Sequence, residues 1–361
     1  MVYRTGHMGD MVCSIPAFRL IRQHFIDSKL SLLCDQPAEG KVAAREVVEH
    51  LRIFDSILSY RSGNSITTGA RLLRLLGKNH PDTVIYLPQV NSTEDQLRKH
   101  ERFFRYAGIG EVKGFHPPRY DNEWHPNEPA RLVHLLNSEN IPGAKPAYDI
   151  PFREDAYRSL CQKARKAGVT LDQPFAAFCG GGKAETQKWP LDRYAVVLSK
   201  LASGTGIQII AVGNSADAEA YRRNISPNFA GLQILNSLSI PELTELLRLA
   251  TCYVGNDTGP MHMAAAVGCP VVVVMSARNK PGQWDPDIEP RLVIRQRTEC
   301  EGCWIVSCTE EQHRCMTNIT VEEVVSRTLP FLRGLLSNRQ KAGEPALVLS
   351  APRNQPETFS I

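Results

Sequence analysis

Along residues 174–294, short apolar runs alternate with stretches of helical periodicity, and this alternation limits the possible folds more than any other feature. The apolar runs at 174–179, 207–212, 232–235, 252–254, 271–275 and 292–294 read as buried strands. Helices are expected over 191–201 and 216–224. A third should follow Ser239-Ile240-Pro241-Glu242, which has the form of a capping box with proline early in the helix. Leu243, Leu246, Leu247 and Ala250 give that helix its apolar stripe. Strands alternating with helices predict a doubly wound parallel sheet.

The first part of the chain repeats the pattern less regularly. Strands are expected at 2–4, 30–34, 53–58 and 83–87, and helices over 11–24, 38–48, 69–76 and 94–107. Ile141-Pro142-Gly143-Ala144-Lys145-Pro146 reads as a linker. The division is therefore a domain over 1–145, a second over 150–337, and a polar, proline-containing tail over 338–361 expected to be disordered. The amphipathic segment 320–336 should form a helix kinked at Pro330.

The 361 residues suffice for two domains, and 42% hydrophobic with 22% charged residues describes a soluble globular chain. A net charge of +4 is too small for a nucleic-acid-binding footprint, but it suits an anionic substrate or an anionic membrane surface. The N-terminus lacks a basic start followed by an apolar core, so no secretory signal is expected. The apolar run at 269–275 is too short to span a bilayer. Ten cysteines without a secretory signal argue for reduced thiols and a cytoplasmic location.

Three loops could carry chemistry. In the first, Val254-Gly255-Asn256-Asp257-Thr258-Gly259-Pro260-Met261-His262, a strand runs into a turn that opens a helix of small residues. Unpartnered N–H groups and the helix dipole favour an anion at such a start. Asp257 and Thr258 are typical N-cap residues, and Asp257 is expected to bind hydroxyls or the capped backbone rather than phosphate. His262, one turn inside, could donate to a diphosphate or sugar, or serve as a structural histidine. In the second loop, Gly180, Gly181 and Gly182 can present successive N–H groups to phosphate oxygens, with Lys188 adding a cation before Trp189-Pro190. A flexible loop with a solvated lysine is the plainer alternative. In the third, Gly6-His7-Met8-Gly9-Asp10 follows the first strand but lacks the third glycine of a dinucleotide fingerprint. Asp10 is there either an N-cap or a general base for an acceptor hydroxyl.

Cys300-x2-Cys303-x4-Cys308-x6-Cys315 could hold a tetrahedral zinc or iron of structural type, or could simply be packed thiols.

Taken together, these motifs resemble family-9 glycosyltransferases, the heptosyltransferase family of lipopolysaccharide assembly, over roughly residues 3–335. The resemblance implies a GT-B fold: two Rossmann-like doubly wound domains facing across a cleft. It implies an inverting transfer that needs no cofactor or catalytic metal. Asp10 then matches the family's base. Lys188 matches the lysine that meets the donor diphosphate, with Gly181 and Gly182 in the same loop. Thr258, Gly259 and His262 match the phosphate-binding turn, Asp257 the residue near the donor sugar, and Glu219 the glutamate that holds the nucleoside. The implied partners are a nucleotide-sugar donor, by family default ADP-heptose, and a glycolipid or other hydroxyl acceptor. Peripheral contact with the inner membrane surface is implied, and no nucleic acid. The chain departs from the family pattern at Asn256 and Pro260 and in its short first strand. Competing readings are another nucleotide-sugar enzyme such as an epimerase, an oxidoreductase, and a non-catalytic sugar-nucleotide-binding protein.

Overall fold

The computed structural model describes residues 1–36, 44–61, 65–115, 127–309 and 312–341. They form two units, Met1–Tyr148 and a second that begins at Asp149. The tail beyond 341 and the 38–43 part of one expected helix lie outside the described residues.

The first unit is a five-stranded parallel sheet of β1 (Val2–Tyr3), β2 (Ser31–Gln36), β3 (Ser56–Arg61), β4 (Thr83–Tyr86) and β5 (Glu111–Lys113). The strand order is β3-β2-β1-β4-β5. Its helices are α1 (Met8–His24), α2 (Ala44–Val48), α3 (Ser65–Asn79), α4 (Glu94–Tyr106) and α5 (Glu128–Ser138). The two-residue β1 is the centre of the sheet: Val2 pairs with Leu32 and Ile85, Tyr3 with Leu33 and Tyr86. Strands buried on both faces are what a parallel sheet demands. Tyr3, Val84, Tyr86, Leu72, Leu76 and Phe104 form an apolar cluster beneath α3 and α4. The sequence reading missed α5 and the three-residue β5.

The second unit carries β6 (Phe175–Cys179), β7 (Gln208–Ala211), β8 (Leu232–Ile234), β9 (Cys252–Asn256), β10 (Val271–Met275) and β11 (Arg291–Arg295). Its helices are α6 (Glu154–Lys166), α7 (Leu191–Thr205), α8 (Ser215–Asn224), α9 (Ile240–Leu249), α10 (Gly259–Ala266), α11 (Arg314–Thr317) and α12 (Val321–Lys341). The order β11-β10-β9-β6-β7-β8, all parallel, places the fourth strand of the unit beside its first. This is the dinucleotide-binding sheet order, whose direction of winding reverses between those two strands. The capping box at Ser239 forms, with Ser239 Oγ accepting from the Glu242 N–H. One expectation needs correction. The helix expected to stop at 336 runs on to Lys341, so 338–341 are helical rather than tail. Pro330 lies inside that helix without ending it. Among the described residues no helix is long and apolar enough to cross a membrane.

Candidate functional site

In each unit the glycine-containing loops, and in the second the Asp257–His262 turn, lie where the strand order reverses, beyond the carboxyl ends of the central strands. That is where open α/β sheets bind ligands.

In the second unit the two loops leaving β6 and β9 are tied together by Asn256. Buried at the end of β9, its Nδ2 donates to Gly180 O (2.8 Å) and Gly181 O (3.1 Å). Its Oδ1 accepts from Tyr194 OH (2.8 Å) and the Trp189 N–H (3.3 Å). One side chain thus satisfies both ends of the 180–189 loop. The Gly180 N–H donates to Tyr221 OH at 3.0 Å, and the Tyr253 hydroxyl donates to Asn256 O at 3.0 Å and lies 3.0 Å from Thr258 Oγ1. Burial pushes the phenols of Tyr194, Tyr221 and Tyr253 well up, so all three stay neutral. Sequence reading treated Asn256 only as a departure from the family pattern.

Gly181 leaves no room for a side chain: a Cβ there would lie 2.7 Å from Asp217 Oδ1. Gly182 lies against the Lys188 stem, 3.2 Å from Cγ to an added Cβ. Lys188 Nζ is paired with Glu185 Oε1 at 2.6 Å; the carboxylate is largely solvated and the lysine half-buried. Trp189 is fully buried and donates from Nε1 to Ile319 O at 3.1 Å, which anchors the loop's far end.

Thr258 is the N-cap of α10 by backbone conformation, followed by Gly259, with proline early in the helix. Contrary to expectation, its hydroxyl makes no cap bond; it faces Tyr253 instead. Asp257 does not cap either. Its Oδ2 accepts from Gln187 Nε2 (3.3 Å) and Asn279 Nδ2 (3.4 Å), and His262 Nε2 is 3.5 Å from Oδ1. His262 also meets the Trp284 ring edge-on at 5.7 Å. Gly181, Gly182, Lys188, Asp257, Thr258, Gly259 and His262 therefore belong to the two loops at one strand edge. Glu219 does not join them: its side chain is 67% exposed and pairs with Arg223. Asp217, two residues earlier on α8, is the carboxylate that reaches the glycine loop.

The Cys300–Cys315 stretch packs against the other side of the same loop. Thr186 Oγ1 donates to Ile305 O at 2.7 Å, and His313 Nε2 is 2.9 Å from Thr186 O. Cys300, Cys303, Cys308 and Cys315 all line one cavity of about 190 Å3. Among the described residues no group of three His, Cys, Asp or Glu side chains is placed to hold a metal ion, which gives the metal-ligand reading no support beside the packed-thiol one. Burial raises the Cys315 thiol pKa, and the neighbouring Cys300, Cys303 and Cys308 thiols raise it further. Cys300, Cys303 and Cys308 stay half-exposed on the loop.

In the first unit, Asp10 sits in the first turn of α1 and accepts from the His7 N–H through Oδ2 at 2.8 Å. Its other oxygen is 3.7 Å from Arg4 Nη2, and the side chain keeps 16% exposure. Gly6, at φ +134°, is required here, because a Cβ would lie 2.6 Å from Asp10 Cβ. Arg4 is fully buried. It donates to Leu87 O (2.9 Å) and Pro88 O (3.0 Å), and it pairs with Glu128 Oε1 at 3.3 Å. Glu128 is clamped in turn by Arg131, at 2.5 and 2.6 Å. Burial pushes the Arg131 guanidinium pKa well down. Sequence reading missed this network. A charged residue in the first apolar strand was the available signal.

Comparison with known proteins follows the same division. The sequence model described as glycosyltransferase family 9 (heptosyltransferase) matches residues 117–313, more than half of the chain and most of the second unit. Lipooligosaccharide heptosyltransferase 2 of Haemophilus influenzae is 25% identical over 206 residues, 54% of this chain and 57% of that protein. The chain thus spans little more than half the length of this curated relative. Two solved structures share the fold. The family-9 glycosyl transferase of Veillonella parvula has TM-score 0.70 and 17% identity, covering 92% of this chain and 96% of that one. Escherichia coli ADP-heptose lipopolysaccharide heptosyltransferase II has TM-score 0.68 and 19% identity, covering 94% and 99%. The fold is that of the GT-B heptosyltransferases, and the chain belongs to glycosyltransferase family 9.

Proposed function

We propose that this protein is an inverting glycosyltransferase that moves a sugar, by family a heptose from ADP-heptose, to a hydroxyl of a lipopolysaccharide-core or similar acceptor. The observation that carries the reading is the Asn256-braced pair of loops in the family-matched unit. There a glycine run, a lysine and a helix start share one strand edge at the sheet's reversal point.

Transfer leaves negative charge on the diphosphate as the bond to the sugar breaks. Loop N–H groups and the start of α10 can meet that charge without reorganising, because Asn256 and the buried phenols already fix them. Lys188 gives up little by moving to the diphosphate. Its present partner is a solvated carboxylate, and such pairs contribute about 0–1 kcal/mol. This cationic and dipolar set supports transfer without a catalytic metal. Asp257, held by Gln187 and Asn279, orients His262 and faces donor hydroxyls. Asp10 takes the proton of the acceptor hydroxyl as that oxygen attacks the anomeric carbon, and a single displacement inverts its configuration.

The test is acceptor-dependent release of ADP from ADP-heptose in the presence of lipid A bearing inner-core sugars. Asp10→Asn should lower turnover by about 10²–10⁴ with donor affinity retained. Donor isomerisation without acceptor would instead assign an epimerase. Donor binding with no turnover would assign a binding protein. A fully active Asp10→Asn variant would remove Asp10 from the base role.

A further inference from the structure

The segment between β10 and β11 carries an open indole beside the Asp257–His262 pair. Asp257 and His262 are only 7% and 6% exposed, whereas Trp284, edge-on to His262 at 5.7 Å, is half-buried. Trp284 is held in place by its own segment. The Gly282 N–H donates to Asp285 Oδ1 (3.2 Å) and the Lys280 N–H to Gln283 Oε1 (3.0 Å). Arg295 on β11 donates to Asn279 O (3.3 Å) and pairs with Asp285 Oδ1 (3.4 Å). Asn279 donates from Nδ2 to Asp257 Oδ2, which ties the segment to the turn before α10. Two polar groups of this braced segment lack partners among the described residues. They are Asn279 Oδ1, in a residue 2% exposed, and the indole N–H of Trp284.

A flat ring on a braced backbone loses little freedom when a ligand lies on it. Buried polar atoms are normally paired, so an unmet acceptor and an unmet donor in one segment mark a place for a group that does both. Hydroxyls donate and accept. The negative face of an aromatic ring also attracts the slightly positive C–H groups of a sugar ring. We propose that Trp284 is a specificity-determining residue for the sugar of the donor. The sugar ring lies against the indole, and its hydroxyls supply the missing donor and acceptor. A nucleobase stacks on indoles as well, but the contact with His262 and the tie to Asp257 group Trp284 with the residues read as facing the sugar. This role rests on ADP-heptose being the donor, and it adds a residue outside the two loops that carry the family motifs.

The full chain and its variants are titrated calorimetrically with ADP and with ADP-heptose. Trp284→Ala should weaken ADP-heptose about tenfold, the upper range for one aromatic contact, and leave ADP affinity unchanged. Trp284→Phe keeps the aromatic face without the N–H and should recover most of that loss. ADP-heptose, but not ADP, should change the tryptophan emission of the parent, and Trp284→Phe should abolish that change. Retained ADP affinity and unchanged circular dichroism verify that the variants fold. Equal loss of both ligands would assign the indole to the nucleoside or to the fold, and equal affinity in Trp284→Ala and parent would remove it from the site. Either result overturns the proposal, as does an emission change that survives Trp284→Phe. A parent that binds no ADP-heptose would instead overturn the donor reading, and this role with it, so the two failures are told apart by the parent alone.

Discussion

Beyond β1 a network of buried ions holds the chain, whereas beyond β6 and β9 a buried amide and three phenols brace the glycine loop. Both places are reversal points of parallel sheets, so topology alone does not account for the contrast. In the first unit Arg4, Glu128 and Arg131 form a chain of charges inside the protein that ends at Asp10. In the second, Asn256 and three neutral tyrosines hold the backbone of a glycine loop. The difference matches two chemical needs. A carboxylate that must point one way is held by fixed cations. A loop that would present N–H groups to an anion is braced mainly by neutral groups, with the Asp217 carboxylate packed beside Gly181.

The sharpest way to break this comparison is to remove the ion at its centre. Glu128→Ala removes the buried carboxylate that Arg4 and Arg131 share, leaving Asp10 as the acid nearest Arg4, and loss of one partner of a buried ion pair costs about 3–5 kcal/mol. Amide hydrogen exchange across β1 and α1 should rise accordingly. Unchanged protection would mean that the network is not what secures this end of the sheet. In the second unit, Asn256→Ala removes two donated and two accepted bonds at a buried site, which should cost about 2–3 kcal/mol. Donor affinity should fall with it, read by isothermal titration. Retained affinity despite lost stability would separate the brace from the binding loop.

Lys188→Ala sharpens the contrast by splitting stability from binding. The pair with the solvated Glu185 predicts a stability change under about 1 kcal/mol. If the lysine meets the diphosphate, donor affinity should fall roughly tenfold, the lower range for a hydrogen bond to a charged group. Equal affinity in variant and parent would leave the loop N–H groups as the whole anion site.

These residues also mark what the sequence made legible. The alternation of strands and helices, the two glycine-containing loops and the Asp257–His262 turn could be read locally, because turns and caps are set by near neighbours. Asn256 could not, since its partners lie 62–76 positions away. Nor could Glu128, which meets Arg4 across 124 positions. The helix α6 was missed because its buried face is narrow, Ala156, Leu160 and Ala164, within an otherwise charged segment. The cysteine spacing offered ligands or packed thiols; the fold brings all four to one cavity, Cys315 buried and the others half-exposed, with no metal-ligand group of three among the described residues. Cysteine spacing alone does not fix the geometry in which the thiols meet.

The smallest effect is expected at Glu219, and it decides which carboxylate of α8 serves the glycine loop. Glu219 projects into solvent with Arg223 as its partner, and an exposed i,i+4 pair contributes about 0.3–0.5 kcal/mol. Asp217 lies against Gly181 and accepts from the Asn214 N–H at 3.0 Å, so it fixes the approach of α8 to the loop. Glu219→Ala should therefore leave the unfolding midpoint nearly unchanged, while Asp217→Ala should lower both stability and donor affinity. If Glu219→Ala alone weakens ADP binding, its side chain must swing from Arg223 to the nucleoside when the donor arrives. Assignment of the nucleoside contact would then return to Glu219, with Asp217 left as a brace. A pair of titrations with ADP and with ADP-heptose distinguishes these outcomes, because a nucleoside contact weakens both ligands equally whereas a sugar contact weakens only the second.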